Sequence, residues 1–307
     1  IVSLTARLMK ARGDQSGAKE FVKEYVARAE KDFDAKTNRA PKYLAFGHLF
    51  TSIGSHDEAE AWYHRLMEIS PDAYLLVVKS MLEQGKRLEA ADLTLNSVDG
   101  QLTPQVATVL ANIVTTTTES VEPMPAVQEA IQRAVVDNEN NLDLLQATAV
   151  MRASHGETDQ AIEVFRRILE LDPENALALN NLATLLAEKP NQRAEALELI
   201  QRAMDIVGRR SMLLDTQGTI YFKLGDADSA IAALKEATAG GAADARYYLH
   251  LAAAYRLADR NADALRMLNE ARAYGFERFV LTDDDRLLLQ TLQDELQQLP
   301  DPAEISP

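Results

Sequence analysis

The chain has 307 residues, 47% of them hydrophobic, 26% charged and 6% aromatic, with 13 glycines. It is long and apolar enough to bury a core, and its abundance of Ala, Leu, Glu, Gln and Arg predicts an all-α protein. A net charge of −15 repels phosphates, which argues against nucleic acid and anionic membranes as partners, and the absence of cysteine excludes disulfides, thiolate zinc sites and cysteine nucleophiles.

The chain opens on Ile1, and residues 1–10 show neither a long apolar core nor a basic leader, so the expectation is that it belongs to a longer protein. No apolar run reaches the roughly 18 residues needed to span a bilayer, so no direct membrane insertion is expected. The compartment stays open, with the cytoplasm slightly favoured. From residue 40 the pattern of a helical hairpin emerges in Tyr43, Phe46, Gly47 and Phe50, then Gly54 in the turn, then Ala59 and Tyr63, and Pro71 at the close. His48, His56 and His64 are evenly spaced, but they are placed on a first helix, a turn and a second helix. No two stand three or four residues apart as a helical zinc pair would.

Further hairpins are expected to begin near Pro71 and Pro104. Between Thr115 and Pro125 four Thr and two Pro interrupt the helical pattern, lengthening this copy to 38 residues. The pattern returns in Leu145, Ala149, Gly156, Ala161, Phe165 and Pro173. It is then most regular. Ala196, Ala230 and Ala264 stand 34 apart, each followed after four residues by Ile200, Leu234 or Leu268 and after seven by Ala203, Ala237 or Ala271. Offsets of four and seven share one helical face, and an Ala there lets two helices approach closely. The preceding helices repeat in step: Leu179, Leu182, Ala183 and Leu186; Leu214, Gln217, Gly218 and Tyr221; Tyr248, Leu251, Ala252 and Tyr255. Small residues in mid-stripe fit a helix packed on two sides.

This pattern resembles the tetratricopeptide repeat family, with its large residue, Leu-Gly, Tyr, Ala, Phe and closing Pro at a 34-residue period. The resemblance implies an α-solenoid of about eight hairpins, beginning near Ile1, Ala40, Pro71, Pro104, Leu142, Ala176, Ser211 and Ala245 and forming a right-handed superhelix. Its expected divisions are divergent hairpins over 1–141, a regular array over 142–281, and a capping helix and tail over 282–307. The cap is read from Thr282 and Asp283 as N-cap residues and from the stripe Leu288, Leu292, Leu296 and Leu299.

Phosphate-cradling glycine loops and a nucleophile elbow have no sequence support, and the acidic pair Asp226/Asp228 and the run Asp283–Asp285 read as helix caps before calcium ligands. No catalysis, metal or cofactor is therefore expected. In the resembled family the first helices line the concave face and hold a peptide or helix of another protein. Carried over, the lining comprises Asn180 and Thr184, then Asp215, Thr219 and Phe222, then Arg246, Leu249 and Arg256, with His48, Lys79, Asn112 and Gln146 upstream. A carboxylate-clamping set of Lys and Asn is not present, because Asp215 and Thr216 stand where basic residues would help. The expected function is a protein-interaction scaffold. The alternative is a regulatory or substrate-presenting arm of a larger enzyme.

Overall fold

A computed structural model describes residues 1–31, 39–97, 102–115, 125–239, 244–276 and 282–297. Among them are seventeen α-helices. They fall into two compact units, Ile1–Ser154 and His155–Pro307.

The first unit holds α1 (Val2–Ala11), α2 (Gln15–Lys31), α3 (Ala40–Ser52), α4 (His56–Met67), α5 (Tyr74–Glu83), α6 (Arg87–Asn96), α7 (Pro104–Thr115), α8 (Pro125–Asp137) and α9 (Leu142–Ser154). α1 packs on α2, α3 on α4, α5 on α6 and α7 on α8, and α9 packs against α7. The α3/α4 pair shows why its sequence folds this way. Tyr43 and Phe46 pack their rings 5.5 and 5.0 Å from Trp62, while the Arg65 guanidinium lies 4.4 Å over the indole. A Cβ on Gly47 would stand only 2.2 Å from the Tyr63 ring, so the smallest residue sits where the tyrosine crosses. His56 opens α4 rather than lying in the turn before it. Most of the interrupted stretch at Thr115–Pro125 lies outside the described residues.

The second unit holds α10 (Thr158–Leu171), α11 (Ala176–Ala187), α12 (Arg193–Val207), α13 (Ser211–Leu224), α14 (Ala227–Ala239), α15 (Ala245–Leu257), α16 (Asn261–Tyr274) and α17 (Asp283–Gln297). The repeated triplets form its core: Ala196, Ile200 and Ala203, their counterparts Ala230, Leu234 and Ala237, and then Ala264, Leu268 and Ala271 are all buried. Burying each Leu or Ile contributes about 1.5–3 kcal/mol. Gly218 faces Leu234 as Gly47 faces Tyr63 in the first unit; a Cβ there would stand 2.4 Å from Leu234 Cγ.

Helix ends follow local chemistry. The α13–α14 turn carries Gly225 at φ +80°, with the Asp226 N–H returning to the Tyr221 carbonyl at 3.0 Å, an arrangement that satisfies otherwise orphaned carbonyls. Asp226 then caps α14 by accepting from the Ser229 N–H at 3.1 Å. Asn175 and Asn141 cap α11 and α9 in the same way. α17 starts with a reciprocal capping box: the Thr282 hydroxyl accepts from the Asp285 N–H at 3.1 Å and Asp285 Oδ2 accepts from the Thr282 N–H at 3.0 Å. The expected capping helix is present, with Thr282 as its N-cap and Asp285 closing the box. Its stripe member Leu299 lies outside the described residues.

Candidate functional site

Within the second unit α11 packs along α13, α13 along α15 and α15 along α17, and these first helices contact one another more closely than the second helices α12, α14 and α16 do. The first-helix layer is thus the inner one of this unit, and the candidate binding residues lie on it.

On α11, Asn180 is buried at 6% exposure and its Oδ1 has no hydrogen-bond partner among the described residues, while the exposed Thr184 donates its hydroxyl to the Asn180 carbonyl at 3.0 Å. On α13, Asp215, Thr219 and Phe222 are half-buried; Thr219 donates to the Asp215 carbonyl at 2.9 Å, and Phe222 packs toward Leu249 and Leu251 of α15. On α15, Arg246 closes on Asp244 at 2.6 Å, and Arg256 pairs with Glu295 at 2.9 Å. Leu249 does not line this face. It is 0% exposed, held in a cluster with Leu268 and Leu292 because α17 packs over that side of α15. In the first unit His48, Lys79 and Asn112 are exposed and Gln146 is half-buried.

The residue that sequence reasoning missed is His250. Its Nδ1 lies 2.7 Å from Asp215 Oδ1 and its Nε2 lies 3.0 Å from Asp285 Oδ1, so one ring joins α13, α15 and α17. With a carboxylate on each ring nitrogen, both nitrogens donate and the ring is an imidazolium. Burial pushes the His250 pKa down, but the charge of Asp215 and hydrogen bonds to both carboxylates outweigh it and raise the value to about 10. Burial likewise works to raise Asp285, yet its bonds to His250 and to Thr282 hold it down at about 2. Asp215, Asp244 and Asp285 against Arg246 and His250 leave a single excess negative charge in the cluster. The signal available in sequence was a polar residue, His250, beside Leu249, where a leucine stood in register with Asp215 of the preceding repeat.

Large apolar side chains are also exposed on this layer. Leu177 and Met212, 48% and 47% exposed, occupy corresponding places one helical turn before Asn180 and Asp215 on neighbouring helices. The next such place, on α15, is Arg246. Among the described residues no group of three or more His, Asp or Glu side chains is arranged to hold a metal ion, and no helix is long and apolar enough to cross a membrane.

Two family profiles described as tetratricopeptide repeat match residues 153–209 and 216–277, the same hairpins whose small-residue crossings and buried triplets build the second unit. Over these residues the chain is a tetratricopeptide repeat array. A curated relative, the TPR repeat-containing protein PA4667 of Pseudomonas aeruginosa, is 28% identical over 109 residues, 36% of this chain. That match spans 18% of the relative, under a fifth of its length. Among solved structures, a tetratricopeptide repeat protein from Parabacteroides merdae overlays with a TM-score of 0.65 at 16% identity, covering 84% of this chain and all of that one. Pseudomonas aeruginosa pilF overlays with a TM-score of 0.52 at 16% identity, covering 73% of this chain and 96% of its own. At these identities the likeness concerns the fold. Tetratricopeptide repeat stacks are generally non-catalytic protein-binding scaffolds.

Proposed function

We propose that this protein is an interaction scaffold that performs no catalysis, and that the first-helix face of its second unit holds a segment of another protein. The observation that carries this reading is the pair Leu177 and Met212: two large apolar side chains exposed at corresponding positions of adjacent helices. Two helical turns further along the same helices stand the hydroxyl groups of Thr184 and Thr219. Burying such side chains against a partner supplies the driving force, and the polar groups supply register. The upstream residues His48, Lys79, Asn112 and Gln146 extend the same reading to the first unit.

A photo-crosslinking side chain placed at Thr184, in the cells from which the protein comes, tests this directly. Protein adducts at Thr184 and none at Leu265, an exposed leucine of α16, are the expected result. Adducts at Leu265 alone, or at neither position, would overturn the reading.

A further inference from the structure

α11 carries no charged side chain, and the charged side chains of α13 and α15 are all committed to ion pairs. Asp215 is held by His250 at 2.7 Å, Arg246 by Asp244 at 2.6 Å, Lys223 by Glu188 at 2.9 Å, and Arg256 by Glu295 at 2.9 Å. A charged partner would have to compete with these bonds and with the desolvation of groups that are already paired, at little net gain. What the α11–α13 surface leaves available is neutral. Leu177 and Met212 offer apolar contact area, and Thr184 and Thr219 keep acceptor lone pairs after donating to their own helices.

We propose that the occupant of this face is an uncharged, extended peptide segment that crosses from α11 to α13 with an apolar side chain on each of Leu177 and Met212. The inference rests on the scaffold reading above and adds the chemistry of the partner. Adjacent packed helices lie roughly 8–10 Å apart, and an extended chain of polyproline-II type advances about 3.1 Å per residue with about three residues per turn, so two apolar side chains about three residues apart span that gap on one face of the segment. Recognition then depends on shape and burial, and ionic strength hardly changes it, since screening acts only on charges that participate.

The test is selection of a random 12-residue peptide library on the purified chain, followed by affinity measurements in 50 and 500 mM NaCl. The expected result is enrichment of peptides with apolar residues three apart and few charges. Their Kd should change less than about 2-fold with salt and weaken at least about 10-fold in Leu177→Glu/Met212→Glu. Both side chains are already exposed, so this variant keeps its fold; matching circular dichroism and an unaffected Leu265→Glu control establish that. Charged peptides with strongly salt-dependent binding that is still lost in the double variant would overturn the neutral-segment proposal and leave the scaffold face standing. Peptides indifferent to the double variant, or no enrichment at all, would overturn both.

Discussion

At the scale of single residues, the side chain with most at stake is His250. An imidazolium held between two carboxylates in a buried place is stable only while all three groups are present, because removing one leaves a buried charge uncompensated. His250→Gln keeps much of the side-chain volume and removes the positive charge between Asp215 and Asp285. The expected loss is about 3–5 kcal/mol in urea unfolding. The pH dependence follows from the two shifts. His250, raised to about 10 from an ordinary 6.5, contributes fully below pH 6.5 and loses that contribution as pH rises through 10. Asp285, lowered to about 2 from 3.8, contributes above pH 3.8 and loses it as pH falls through 2. Both describe one interaction from its two ends. The melting-temperature gap between the parent and His250→Gln should be widest between about pH 4 and 6.5 and narrow on either side; a gap flat with pH would show that the ion pair is not its source. His250 escaped the sequence reading because the 34-residue register aligns Asp215 with Leu249. Which of two neighbours on a helix turns toward the adjacent helix is set by the crossing of the pair, and the cap α17 draws Leu249 into the core. Arg246 and Arg256, expected from sequence to line the groove, are committed to Asp244 and Glu295.

At the scale of elements, the helices and their starting points were legible because each rule is local: Pro or Asn opens a helix, small residues mark the crossings, and a glycine in the left-handed region closes the first arm. The α15–α16 turn departs from that last rule. Its residue is Asp259, at φ +56°, in the place Gly225 occupies one repeat earlier, and the Arg260 N–H returns to the Tyr255 carbonyl at 2.9 Å as Asp226 does to Tyr221. The backbone geometry of the repeat is therefore imposed on a residue with a Cβ, which costs about 1–2 kcal/mol in the left-handed region. Glycine removes that strain while making the unfolded chain freer by about 0.5–1 kcal/mol. Losing the exposed Arg256–Asp259 contact matters little. Asp259→Gly is expected to stabilise the protein by up to about 1 kcal/mol. Thermal unfolding reads this as a small upward shift, and a downward one would mean that Asp259 contributes more than its backbone strain costs.

At the scale of the whole molecule, the period was legible because each hairpin must bury its apolar stripe against the next, and only a fixed repeat length keeps the stripes in step. The proposed partner leaves no comparable mark, since the exposed face of a first helix is free of that constraint and its few apolar side chains resemble ordinary surface variation. The same nearest-neighbour logic predicts how damage spreads. Leu292 of α17 is 3% exposed and packs with Leu249 and Leu268. Leu292→Ala opens a cavity expected to cost about 2–5 kcal/mol. If stability is a sum of repeat and interface contributions, that cost falls on the last interface and fades with each hairpin away from it. Hydrogen exchange should then show the greatest loss of protection in α15–α17, a smaller loss in α13 and α14, and none in α3–α6 of the first unit. Equal loss through every helix would mean that the chain unfolds as one cooperative block. A repeat stack held by one-dimensional neighbour contacts predicts the gradient instead, with α17 as the element whose removal starts it.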